Sequence, residues 1–276
     1  MEEKNIVIYS NCQGLMIKFF LDKIFIKSNI HFLENYSMIN QNIPIPTIIL
    51  NNCDIFIYQP IDDKYKIYST NEKNLFKYFK KNIIKIAFPY IFNNSLWDLK
   101  KYMTRDSINI NFVENNKELT SYKINNNECI KNIIKKNSLE LDKIIELYKL
   151  NKINFNYKER YDNCLKILKE KEKLCDIKVS DYINSNILKK RLFLTFNHPT
   201  SCVIIQCVNQ ILKILNINFI FNENDYPEIV VKQQEKGYYK YSTIDLLYWN
   251  FLYKEEADDS ETINLIKDIY INEKNI

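Results

Sequence analysis

The sequence predicts an α/β fold, with a parallel-sheet core and a large helical insertion or cap. Three observations predict it. Short β-branched runs alternate with amphipathic helical stretches up to Phe88. Each run stops at a polar turn or at Pro, as at Ser10-Asn11-Cys12-Gln13-Gly14, Gln59-Pro60 and Phe88-Pro89. After about Ser95 helical patterns dominate, until strand character returns at Arg191–Phe196.

Taken in order, Ile6–Tyr9 reads as a buried strand, because Ile6-Val7-Ile8 is apolar and β-branched. Leu15–Ile26 follows as a helix. Its polar residues Lys18, Asp22, Lys23 and Lys27 share one narrow face, so most of its surface faces a core. Ile30–Tyr36 is a second strand, nearer an edge because Asn and Glu interrupt it, and Asn40–Pro46 is a loop. Cys53–Tyr58 and Ile83–Phe88 are strands, with Asn71–Lys81 as a helix between them. Strands alternating with helices imply parallel pairing with right-handed crossovers. Leu96–Met103, Glu128–Asn137, Leu139–Leu150 and Tyr157–Cys175 read as helices. Ser180 is placed as an N-cap for Asp181–Lys190. After the strand at Arg191–Phe196, Thr200 or Ser201 can cap a helix over Cys202–Leu215. Asn218–Phe221 is a short strand candidate, and a last helix lies near Glu261–Tyr270. The simplest organisation is a single α/β domain over 1–276, with 96–190 as a helical insertion or cap.

Composition excludes several functions. The chain of 276 residues carries a net charge of only +5. Its basic residues are nearly all Lys, with Arg only at 105, 160 and 191, which argues against base-specific nucleic-acid contacts. Apolar runs are broken well short of the roughly 20 residues a membrane span needs, and the acidic start is unlike a signal peptide. A cytoplasmic protein is expected, with room for peripheral association with a membrane or an assembly machinery. Seven Cys with no paired framework suit reduced thiols, and two His with no C-x-x-C make a zinc site unexpected. Neither phosphate-binding glycine motif occurs.

Three residues could do chemistry. Cys12 sits where a strand turns into a helix, so the helix dipole and free N–H groups could stabilise its thiolate or an oxyanion. The plainer alternative is a small space-filling Cys. His198 lies at another strand-to-helix junction, where it could act as a general base or serve only as a structural group. If both strands belong to one parallel sheet, both side chains open onto one edge. Gln59 ends the strongest strand and could donate to a developing oxyanion, or merely terminate the strand. Asn11, Gln13 and Asn197 flank these candidates and could assist them or close their own turns. Gly14 lies in the Cys12 turn, where close approach requires a small residue. No acid precedes His198 at the Asp-x-x-His spacing, since position 195 is Thr. The other cysteines are expected to be inert.

Several ordered segments resemble the WcbI-type polysaccharide-biosynthesis acetyltransferases. Ser10-Asn11-Cys12-Gln13-Gly14 looks like that family's Gly-Asn-Cys-Gln turn, with Ser10 in place of Gly. Cys53 to Ile61 resembles its strand ending in Gln-Pro, and Phe88-Pro89-Tyr90 its Pro-aromatic segment. Glu159-Arg160, Asp162 and Val179–Ile183 resemble its helical middle, and Arg191–Thr200 its Asn-His-Pro-Thr segment. The resemblance implies an SGNH-like, three-layer core and a CoA-dependent acyltransferase. The enzyme would O-acetylate a sugar of a capsular or other surface polysaccharide, with acetyl-CoA as donor. It implies Cys12, His198 and Gln59 as catalytic residues, and Ser10, Asn11, Gln13, Gly14, Tyr90 and Asn197 around coenzyme A. Arg105, Arg160, Arg191 and nearby Lys are candidates for its phosphates. Direct transfer, a Cys12 acyl-enzyme, or a Cys12 that only adjoins the CoA thiol all remain open. So do a glycan acyl-esterase and a non-catalytic CoA- or sugar-binding component of the assembly machinery.

Overall fold

The computed structural model describes residues 3–99, 113–114, 117–118, 130–131, 133–134, 139–226 and 238–274. The chain divides into two compact units. One comprises Met1–Phe92, Lys166–Ser185 and His198–Lys236, the other Asn93–Leu165, Asn186–Asn197 and Gly237–Ile276.

The first unit is built on a four-stranded parallel sheet of order β2-β1-β3-β4, with β1 at Asn5–Ser10, β2 at Asn29–Glu34, β3 at Ile55–Tyr58 and β4 at Ile84–Ala87. Every β1 residue from Ile6 to Ser10 is buried, as expected of a central strand covered on both faces. Val7, Tyr9 and Phe56 point into one core with Met38 of α2 (Asn35–Gln41) and Leu50 of α3 (Thr47–Asn51). Ile8 points the other way, toward α1 (Gln13–Ile24). The parallel α/β class and the edge position of β2 follow the sequence reading.

Three expected elements differ. Asn71–Lys81 is not an α-helix; the region carries 3₁₀ turns at Asp63–Tyr68 and Leu75–Tyr78. Phe79 packs 4.6 Å from Phe56 and Phe76 5.3 Å from Tyr58, so aromatic packing on β3 overrides helical propensity. Asn218–Phe221 is not a strand: the side-chain amide of Asn209 accepts from the Phe221 N–H (2.9 Å) and donates to its carbonyl (3.0 Å). The strand expected over Arg191–Phe196 shrinks to Phe193–Thr195 and lies outside the four-stranded sheet. The free edge of β4 is occupied instead by Asp176-Ile177. Their N–H groups donate to the Ala87 carbonyl, and Asp176 Oδ2 accepts from the Ala87 N–H at 2.7 Å.

The second unit contains the two-residue strands β5 (Val113–Glu114) and β6 (Lys117–Glu118), α4 (Leu141–Lys149) and most of α5 (Tyr157–Glu172). The first unit also holds α6 (Ser180–Asn186) up to Ser185, β8 (His198–Pro199) and α7 (Ser201–Ile214), and the second holds β7 (Phe193–Thr195), α8 (Thr243–Trp249) and α9 (Ser260–Lys274). Ile144, Tyr148, Phe155, Tyr157, Ile244 and Ile266 meet in its core. Helix α8 was not foreseen. Its signal was the Ser-x-x-Asp box, in which Ser242 Oγ accepts from the Asp245 N–H and Asp245 Oδ2 from the Ser242 N–H. Leu96–Leu99 is not helical, and the rest of the helix expected there lies outside the described residues. Of Glu128–Asn137, residues 130, 131, 133 and 134 are helical and the others lie outside them. Ser180 begins α6 rather than capping it. The buried Glu172 carboxylate accepts from the N–H groups of Val179 and Ser180 and from the Ser180 hydroxyl. Among the described residues, no helix is long and apolar enough to cross a membrane.

Candidate active site

Because the sheet is parallel, the C-terminal ends of β1, β3 and β4 open onto one edge. Two glutamines tie them together there. The Asn11 N–H donates to Gln59 Oε1 at 3.0 Å, and Gln59 Nε2 donates to Gln13 Oε1 at 3.1 Å. Gln13 then treats Ile91 as a strand would treat its neighbour: Nε2 donates to the Ile91 carbonyl (2.7 Å), and Oε1 accepts from the Ile91 N–H (3.2 Å). Both side chains are buried, Gln13 at 2% and Gln59 at 3% exposure, so these bonds replace the water they have lost. The Gln13 N–H also donates to Asn11 Oδ1 at 3.0 Å. The turn carrying Cys12 is held on both sides of the cysteine.

Cys12 is the N-cap residue of α1 and is half-buried. Burial, and then the Glu34 carboxylate, push its thiol up to about 11. The N–H groups of Cys12 and Gln13 act in the opposite direction and do not prevail. The sequence suggested a thiolate stabilised by the helix end; desolvation makes this group a neutral thiol at pH 7. Glu34 escaped the sequence reading. It ends β2 in register with Ser10, and an acidic residue closing the strand beside the Cys12 strand was the available signal.

Gly14 is needed for space. A Cβ there would lie 2.8 Å from the Phe32 ring and 2.9 Å from Ile8 Cγ2, and would collide with Ser10 Oγ. Ser10, fully buried, donates its hydroxyl to the Asn11 carbonyl at 2.9 Å.

His198 belongs to the same unit, two residues before the Thr200 N-cap of α7, and α7 packs on α1. The expectation that both junctions open onto the edge of one sheet is not met, because β7 lies outside the four-stranded sheet. Burial lowers the His198 pKa, which keeps the imidazole neutral and able to accept a proton. Asn197 falls in the other unit, where its Oδ1 accepts from Thr195 Oγ1 at 3.2 Å. Tyr90 immediately precedes Ile91, and the Lys171 ammonium lies 4.7 Å above its ring.

The arginines are used elsewhere. Arg160, 2% exposed, donates to the carbonyls of Phe155 (3.3 Å), Trp97 (2.9 Å) and Asn94. Arg191 Nε lies 2.7 Å from Glu255 Oε1, with the guanidinium 4.5 and 4.6 Å from the Tyr238 and Tyr241 rings. Both serve the second unit and neither is poised for a phosphate. Arg105 and Cys129 lie outside the described residues. Burial also pushes Cys53 and Cys175 up to about 12, and Cys207 upward, in keeping with inert thiols.

A model of the family described as polysaccharide biosynthesis enzyme WcbI matches residues 5–219. A solved structure described as WcbI, a novel polysaccharide biosynthesis enzyme, superposes with a TM-score of 0.66 at 14% sequence identity. The match covers 100% of this chain and 91% of that one. Its description specifies the native protein without a disulfide bond between coenzyme A and one of its cysteines. Comparison with curated proteins gives no match.

Proposed function

The chain belongs to the WcbI family of polysaccharide biosynthesis enzymes, and from that premise we propose that it is a CoA-dependent acyltransferase. In this reading it O-acetylates a sugar of a capsular or other surface polysaccharide, in the cytoplasm and in peripheral association with the assembly machinery. The observation that carries the reading is the Gln13–Gln59 clamp, which fixes the Cys12 turn at the sheet edge in the unit that also holds a neutral His198.

The residues fit coenzyme A. A half-buried neutral thiol at a helix N-terminus can lie beside another thiol or a thioester without charge repulsion, and the description of the solved relative names coenzyme A and a cysteine, in a form without a disulfide bond between them. Bound acetyl-CoA would supply an activated acyl group. Cys12 and the turn from Ser10 to Gly14 would hold its sulfur end, with Tyr90 of the same unit as a further contact. His198 would take the proton from the acceptor hydroxyl, since a lowered pKa leaves its imidazole unprotonated at neutral pH. Gln59 would keep the Cys12 turn in place by accepting the Asn11 N–H; the N–H groups of Gln13, Gly14 and Leu15 already donate within that turn. The raised Cys12 pKa favours a holding role for the thiol over attack.

A calorimetric or thermal-shift titration with coenzyme A and acetyl-CoA tests the reading. Ligand at about 100 times its Kd should add about 2.7 kcal/mol of stability. No shift at saturating, millimolar-range coenzyme A overturns it, and acetate release from an acetylated glycan without coenzyme A would favour the esterase instead.

A further inference from the structure

We infer that the second unit carries a glycan-binding subsite, formed by Tyr248 of α8 with Lys158 and Asp162 of α5, in which a sugar ring stacks on Tyr248. The inference rests on the reading above only in taking that glycan as the acceptor. The family match ends at residue 219, and α8 lies beyond it.

Two adjacent rows of α5 build the site. Tyr157 and Tyr161, one turn apart, pack against α8. The Tyr157 ring stacks on Tyr248 with centres 4.5 Å apart at 26°, and Tyr161 meets Trp249 edge-on at 5.6 Å. Lys158 and Asp162 form the next row, where Lys158 Nζ donates to Asp162 Oδ2 at 2.7 Å. Tyr248 lies within electrostatic reach of Lys158. The supporting ring is fixed, because Tyr157 is buried and its hydroxyl donates to Asp245 Oδ1 at 2.6 Å. Tyr248 itself is 45% exposed, so it keeps an open aromatic surface. A ring already held in place loses little freedom when a ligand stacks on it.

The polar groups suit hydroxyls rather than an ion. Lys158 and Asp162 offset each other's charge, so the pair gives a phosphate or a charged peptide no net attraction. It sets ammonium donors beside a carboxylate oxygen, Asp162 Oδ1, that nothing bonds among the described residues. A sugar ring has an apolar C–H face and a rim of hydroxyls that both donate and accept. The face matches the tyrosine ring and the rim matches the ion pair. The chain's family is one of polysaccharide biosynthesis enzymes, which handle such ligands.

Native affinity electrophoresis of the full chain tests this. The gels contain the surface polysaccharide of the cells that make the protein, freed of ester groups by mild alkali. The wild-type chain should be retarded, and equally so at low and high salt, because the pair is neutral. Tyr248→Ala should weaken binding about tenfold, while Tyr248→Phe should retain most of it. Asp162→Ala, at an exposed position, should also weaken binding, and it decides the matter if Tyr248→Ala fails to fold. A wild-type chain that is not retarded overturns the subsite. So does unchanged retardation in both Ala variants, since the glycan then binds elsewhere, and so does retardation abolished by salt. Coenzyme A titration of the same variants should match wild type. A chain that binds the polysaccharide but not coenzyme A sinks the CoA reading and leaves the subsite standing.

Discussion

Gln59 Nε2 donates to Gln13 Oε1 at 3.1 Å, and the same oxygen accepts the Ile91 N–H at 3.2 Å. One buried amide pair therefore links the ends of three strands. Gln59→Leu removes both its donor and the acceptor of the Asn11 N–H. It should cost about 1–3 kcal/mol in urea unfolding, the usual cost of stranding buried polar groups. Gln59→Glu keeps that acceptor but sets a carboxylate oxygen against Gln13 Oε1, and it should also destabilise. Wild-type stability in both variants would refute the clamp.

Gly14→Ala should destabilise by about 1–3 kcal/mol, as overpacked sites do. Ser10 Oγ is the nearest obstacle, so Ser10→Gly in the same chain should recover part of the loss. Chemical denaturation of the single and double variants checks this; a Gly14→Ala chain as stable as the parent contradicts the packing.

Alkylation of Cys12, followed by mass spectrometry across pH, should show a midpoint near 11. Glu34→Gln should lower it and speed alkylation at pH 8–9, in the range of the ordinary thiol value of about 8.5. The sign for stability follows. The folded-state pKa lies above the unfolded one, so the contribution is fully present below the unfolded value and is lost as pH rises through about 11. An unaltered midpoint in Glu34→Gln would show that the carboxylate does not act on the thiol.

Arg160→Met strands carbonyls of Phe155, Trp97 and Asn94 in the second unit. A loss of at least about 3 kcal/mol is expected, from hydrogen bonds to a charged group in a buried setting. Coenzyme A affinity of the folded fraction should hold. Weakened affinity at unchanged stability would return Arg160 to the phosphate site.

Much of the first unit was legible in the sequence, because its signals are local. Ile6–Tyr9, the following helix, Cys53–Tyr58 and Ile83–Phe88 each carry their own periodicity and their own stop. The amphipathic helices at Leu139–Leu150, Tyr157–Cys175 and Cys202–Leu215 were readable for the same reason, to within a few residues of their observed ends. Of the candidate site, the turn residues Cys12, Gln13, Gly14, Gln59 and His198 fall in one unit.

What each of those residues is bonded to was not legible. Whether Arg191–Phe196 joins the sheet depends on the β4 edge, and Asp176, far along the chain, already occupies it. Whether a helix forms at Asn71–Lys81 depends on what Phe76 and Phe79 find on β3. A cysteine at a helix end reads as activated until burial and Glu34 are added. An arginine reads as a phosphate ligand until its carbonyl partners are seen. The sequence by itself determined the parallel α/β core and the residues that crowd its edge, since strand and helix periodicity are written along the chain. Only the tertiary structure decided which amides pair and that the Glu34 carboxylate acts on the cysteine. It also decided which protonation state burial favours, because desolvation and hydrogen-bond partners come from residues distant in sequence.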